Sequence, residues 1–186
     1  MFAFFAIAIP MLGPAAAEPR VTETFNYYDV SGSTAQELRA DLNRNGPLDK
    51  DGKHFDAITR WHIRWRYNYQ TGGNECAIAK VSTTVDVAIT FPRLSETAAI
   101  PASVRQAFTA YTEKLLVHEK GHAQNAIDTA KRIEDGIVAL GPQGACSDLG
   151  RTANSLGYSL IAAANQWDID YDRRTRHGAT QGARFP

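Results

Sequence analysis

Neither sign of charge is in surplus: 20 Lys and Arg face 20 Asp and Glu in 186 residues. A nucleic-acid binder ordinarily carries a basic footprint, and no basic cluster supplies one here, so no nucleic-acid partner is expected. The densest basic run, "RWHIRWR" (Arg60 to Arg66), alternates charge with aromatic residues. It reads as the polar face of a strand rather than a phosphate site.

Long apolar runs are also missing. The one apolar stretch, Phe2 to Leu12, is too short to cross a bilayer as a stop-transfer helix. Ala15-Ala16-Ala17 follows it with small residues suited to signal-peptidase cleavage. Residues 1–17 therefore read as a secretory signal, although no Lys or Arg precedes the apolar run. A membrane anchor is the alternative. The expectation is a secreted or periplasmic protein, a single domain over residues 18–186, with no stable membrane insertion after cleavage.

Cysteine is scarce. Cys76 and Cys146 are the two in the chain, too far apart for a cysteine metal site, which needs close pairs. In an exported protein an even count favours a disulfide. Internal repeats and low-complexity tracts are absent as well.

What is present alternates between strand and helix patterns. Val21 to Val30 is rich in β-branched and aromatic residues and reads as a strand. Ser33 or Thr34, with Gln36 or Glu37, predicts a capping box for a short helix ended by Asn45-Gly46-Pro47. "LDKDGKHF" (Leu48 to Phe55) reads as a polar loop without calcium-loop spacing. Trp61, Ile63, Trp65, Tyr67 and Tyr69 then alternate with Arg60, His62, Arg64, Arg66 and Asn68, a period of two. "TGGN" predicts a turn, and Val81, Thr83, Val85, Val87, Ile89 and Phe91 share one parity of a return strand that Pro92 ends. His62 lies on the polar face and reads as a surface histidine.

A long helical pattern follows, with Ser103 and Gln106 as a second capping box. Its apolar stripe runs through Val104, Phe108, Tyr111 and Leu115, and the same steps land on His118 and His122. The stripe continues through Ala126, Ile133, Ile137 and Leu140 to Gly141-Pro142, with a bend expected near Gly121 or Gly136. A last helix starts near Asp148, with Leu149, Ala153, Leu156, Leu160, Ala163 and Trp167 as its buried face. A polar tail completes the chain.

The stretch "LLVHEKGHAQ" holds His-Glu-x-x-His. On a helix, residues four apart share a face, so His118 and His122 can hold one metal ion. Glu119, turned about 100° away, can act on a water as general base. Chance expects about 0.006 such patterns in a chain of this composition. Two bare imidazoles in an apolar stripe would be costly to desolvate, which disfavours a metal-free pair.

Zinc at such a site needs a third protein ligand, with a fourth position left for water. Asp128 lies ten residues after His118, but the helical pattern runs through it. Glu134 lies too far along the same helix. The tail offers Asp168, Asp170, Asp172 and His177, of which His177 carries the imidazole zinc favours and precedes Gly178.

Four stretches carry a family resemblance: "YDVSGSTAQELRADLNRNGP", "TRWHIRWRYNY" followed by Cys76, "LLVHEKGHAQNA" and "YDRRTRHGATQGARFP". Over about residues 21–186 the chain resembles a bacterial family of predicted secreted zinc-dependent proteases, much of it described only as a domain of unknown function. The resemblance implies His118, Glu119 and His122 as the motif. It marks the tail as a second signature, which ranks His177 as third metal ligand above Asp128, and it implies Cys76 and Cys146 as the family's paired cysteines.

Together these readings predict an α+β, zincin-like domain: a small antiparallel sheet packed against the long motif helix and a C-terminal helix. Zn²⁺ would be held by His118, His122 and His177, with Asp128 or Asp172 as alternatives. Glu119 would be the general base for hydrolysis of a peptide or protein substrate. Tyr171, with Arg173 or Arg176, would stabilise the oxyanion. The rival from another class is a non-catalytic periplasmic zinc-binding or scaffold domain. Its site would be closed if Asp172 joined the three histidines.

Overall fold

The computed structural model describes residues 18–96 and 99–186; the expected signal, residues 1–17, lies outside the described residues. Strand β1 (Arg20–Val30) is followed by helix α1 (Ala35–Asn45), strands β2 (Ile58–Gly72) and β3 (Glu75–Leu94), helix α2 (Ala102–Val138) and helix α3 (Cys146–Thr175). A 3-10 turn spans Ala179–Gln181. The fold is α+β, as expected.

The sheet is small but not wholly antiparallel. Its order is β1-β3-β2: β2 and β3 form the expected antiparallel hairpin, while β1 runs parallel to β3. The chain returns through α1 and β2 before it enters β3, so β1 and β3 share a direction, which a strand's own pattern does not reveal. A bulge at Ala79, between the pairs Asn68–Lys80 and Tyr69–Ile78, changes the buried parity of β3. Cys76 and Ile78 are therefore buried before it and Val81, Thr83, Val85, Val87 and Ile89 after it. β3 runs through Pro92 to Leu94 because its pairing with β2 ends at Thr90, where a missing N–H is tolerated.

One face of the sheet carries the core. Ile63, Val85, Val87 and Ile89 pack against Leu115, Ala126, Ala130 and Ile133 of α2. Thr34 caps α1 and Glu37 closes the box, as expected. The second expected box does not form: α2 begins one residue before Ser103, with Pro101 at its N-cap and no side-chain cap. α2 is one continuous element of 37 residues. Gly121 persists within it because the Tyr171 ring fills the space a side chain would take.

Helix α3 corrects the sequence reading most. It continues eight residues past Trp167, so the supposed tail is helical through Thr175. Its buried stripe is Leu149, Gly150, Ala153, Gly157, Ala164 and Thr175, one step out of phase with the expected Ala163 and Trp167, which are exposed. Small residues face the sheet here, and a count of large apolar residues passes over them. A disulfide between Cys76 and Cys146 ties β3 to the start of α3. Backbone hydrogen bonds between Cys76 and Gln143 reinforce that join.

The segment between α1 and β2 is pinned at Asp56. Arg39 donates to both carboxylate oxygens at 2.9 and 2.7 Å, Tyr111 donates to the same group, and Tyr28 donates to the Asp56 carbonyl at 2.7 Å. Burial and the Asp56 charge push the Tyr111 hydroxyl pKa far up, so it stays a donor. This anchor holds the 46–57 segment as one wall of the cleft described next.

Candidate metal centre

The long apolar stripe of α2 turns His118 and His122 inward, where both are buried. Their rings lie 4.9 Å apart, edge to face. Opposite them, α3 presents Asp168 and Asp172 at the same four-residue spacing. Asp172 Oδ1 lies 3.0 Å from His118 Nε2 and 3.1 Å from His122 Nε2.

The outer nitrogens decide the tautomers. His122 Nδ1 is 2.8 Å from Asp168 Oδ1, and His118 Nδ1 is 3.0 Å from Gln181 Oε1. Each Nδ1 has an acceptor of its own, which leaves each Nε2 to face the Asp172 oxygen. In the metal-free fold a proton bridges that gap; a metal ion would take its place. The ligand atoms of His118, His122 and Asp172 all lie within 4.8 Å of one another, a group that could hold a metal ion. Ligands of a tetrahedral zinc stand roughly 3.3 Å apart, close to these separations. The histidine–acceptor pairs behind them are the usual outer support of metal-binding imidazoles.

The support extends further. Asp168 also accepts from Asn125 Nδ2 at 3.0 Å and, on its other oxygen, from Trp61 Nε1 at 2.8 Å. Gln181 Nε2 donates to the Tyr171 hydroxyl at 2.9 Å, while the Tyr171 ring stacks on His118 with centroids 4.9 Å apart. Burial opposes a charged His122, but Asp168 and Asp172 override it and push its pKa up to about 10. Burial would likewise raise Asp172; hydrogen bonds from His118, His122 and His177 instead hold it well below the usual carboxylate range.

Glu119 sits one residue along the helix, buried, with Thr59 Oγ1 of β2 donating to its Oε2 at 2.7 Å. Burial raises its pKa; Thr59 and the two histidines offset part of that rise. His118, Glu119, His122 and Asp172 open on a cleft of about 570 Å³. Ile58 and Thr59 of β2, residues of the 49–57 segment, Arg176 and His177 also line it.

The expected residues thus divide. His118, Glu119 and His122 come together. Asp172, weighed as an alternative, completes the cluster from α3. His177 lies outside that cluster of three: its Nδ1 is 3.4 Å from Asp172 Oδ1, its side chain is 48% exposed, and its ring rests on Phe55 at 4.9 Å. Asp128 is exposed on the unbroken α2, bonded to Gln124, and faces away. Glu134 is buried and accepts from Thr83 at 2.6 Å, far from the site along the helix. Tyr171 stands behind His118 and is not among the residues lining the cleft; Arg173 is exposed and paired with Asp170.

The turn after α3 is strained. Arg176, His177 and Gly178 all take positive φ, at 51°, 51° and 82°. For the two non-glycine residues this conformation costs on the order of 1–2 kcal/mol each. It brings Gly178 so close to His118 that a side chain there would press on the His118 Cβ at 3.0 Å. Asn125, Thr59 and Gln181 were not expected at the site, and Asp168, a candidate ligand in the sequence, supports His122 from behind instead. The Asp168–Asp172 spacing, in phase with Ala164 and Thr175, marks that face of α3.

The fold and the site define an α+β domain with a candidate His/Asp metal cluster between two long helices. The model of the family "Bacterial protein of unknown function (DUF922)" matches residues 25–178, and the chain belongs to that family. No curated protein and no solved structure matches it.

Proposed function

We propose that this protein is a secreted or periplasmic zinc-dependent metallopeptidase. One observation carries the reading: two imidazole nitrogens and one carboxylate oxygen converge in an open cleft, with a buried carboxyl one residue away. His118, His122 and Asp172 would hold the ion with three protein ligands, the number that leaves a position free for chemistry. A bound zinc would supply a Lewis acid for the scissile carbonyl and acidify the attacking water.

The chain's own groups do the rest. Glu119 takes the proton of the attacking water and passes it to the leaving amine; its burial-raised pKa suits both transfers. Thr59 keeps its carboxyl oriented. Arg176 and His177, on the cleft wall, are placed to meet a developing oxyanion, whereas Tyr171 acts by positioning His118. β2 is the sheet edge and its Ile58 and Thr59 line the cleft, which suits a peptide laid along it as an added strand. The disulfide supports an oxidising, extracytoplasmic location.

A second reading rests on His177. If it swung inward from Asp172 as a fourth ligand, the site would be closed and structural. Zinc-loaded protein incubated with a mixed peptide library, read by mass spectrometry, separates the two. Cleavage is expected, and Glu119→Gln should reduce it on the order of 10²–10⁴-fold with zinc retained. An inert wild type, or cleavage indifferent to Glu119→Gln, would refute the peptidase.

A further inference from the structure

The face of the sheet turned away from the helices carries an excess of positive charge. Register places its side chains in five rows: Asn68 with Lys80; Arg66 with Ser82; Arg64, Thr84 and Arg20; His62, Asp86 and Thr22; Arg60, Ala88 and Thr24. Beyond the bulge the same face continues through Gln70 with Ala77 and Gly72 with Glu75. Five cations thus share the face with two acids: Asp86, which pairs with Arg64 at 2.6 Å, and Glu75 at the hairpin end. Arg20, Arg60, Arg64, Arg66, Lys80 and His62 are all exposed. In a chain with no net charge this is a marked segregation.

The array is broad and flat rather than grooved. Two-residue steps along a strand and the spacing between strands give it about 27 Å by about 10 Å. The strand aromatics Trp61, Trp65 and Tyr67 lie on the opposite parity, packed against the core. The basic face therefore offers no stacking platform for bases, which disfavours a single-stranded nucleic acid.

We propose that this face docks the protein on an anionic lipid bilayer, lying on the surface without inserting. Charge complementarity selects the partner: a plane of phosphate headgroups matches a plane of guanidinium and ammonium groups. The five basic rows hold no large apolar side chain to bury in the hydrocarbon, and no helix among the described residues is long and apolar enough to cross a membrane. The attraction is electrostatic and falls with salt.

The test is vesicle co-sedimentation of the full chain, with phosphatidylcholine vesicles carrying or lacking phosphatidylglycerol. Each Lys or Arg near an anionic surface is worth about a fivefold gain in partition. The triple change Arg20→Gln, Arg66→Gln and Lys80→Gln should therefore weaken binding to the phosphatidylglycerol vesicles on the order of a hundredfold. Arg105→Gln, Arg132→Gln and Arg151→Gln, on the helices, should leave it unchanged. Comparison with vesicles lacking phosphatidylglycerol removes any contribution of the apolar N-terminus. Equal binding to both vesicle types, an equal loss in the two triple variants, or capture of duplex DNA in place of vesicles would overturn the proposal.

Discussion

Asp168 and Asp172 stand one helical turn apart on α3, facing His122 and His118, which stand one turn apart on α2. The match gives the two carboxylates different work. Asp172 meets both inner nitrogens, while Asp168 fixes the outer nitrogen of His122.

Asp168→Ala should weaken metal binding without abolishing it. The variant frees His122 Nδ1 and leaves Trp61 Nε1 without its acceptor. Loss of such a supporting partner typically costs 10–100-fold in affinity, a change that competition with a chromogenic chelator can read.

The pH dependence follows from His122. Its pKa in the metal-free fold is raised to about 10, against 6.5 for the ordinary group. The protonated form thus stabilises the metal-free fold fully below about pH 6.5. That contribution is lost as pH rises towards 10, by up to about 1.4 kcal/mol per unit. Metal must displace the same proton, so affinity should climb with pH, approaching tenfold per unit between roughly pH 7 and 9. Thermal melts and zinc titrations across that range test both signs; a metal-free fold that gained stability over it would contradict the assignment.

Gly178→Ala should destabilise the site. The position combines a φ of 82° with close approach to His118. A loss of about 1–2 kcal/mol in unfolding free energy is expected from the backbone alone, together with weaker metal binding as His118 shifts. Urea unfolding of the metal-free and metal-loaded protein separates the two effects.

Reduction should loosen the join between β3 and α3. The disulfide closes a loop of 70 residues, for which chain entropy predicts roughly 4 kcal/mol. Paired Cys76→Ser and Cys146→Ser should lower the melting temperature and make it indifferent to reductant.

The strand hairpin was legible because one face of β2 and β3 is buried and the other wet, so polarity alternates. The inward turn of His118 and His122 was legible because they continue an apolar stripe. Other features were not. The parallel partner of β1 lies in no local pattern. The helical course of residues 168–175 was hidden because the residues that face α2 there, Asp168, Asp172 and Thr175, are polar, and polarity on an inner face reads as exposure. The ranking of the tail residues turned on the same point: imidazole chemistry placed His177 first, while helix phase, once α3 is extended, turns Asp172 towards the two histidines. The packing role of Gly121 was hidden because the ring that occupies its side-chain space, Tyr171, comes from 50 residues away in sequence.

The central claim is that His118, His122 and Asp172 hold one metal ion. Elemental analysis of the purified protein and of Asp172→Ala, with His177→Ala beside it, tests this most directly. The account predicts one zinc per chain in the wild type, loss of it in Asp172→Ala and retention in His177→Ala. A wild type without metal, or an Asp172→Ala variant that keeps its full complement, would contradict it.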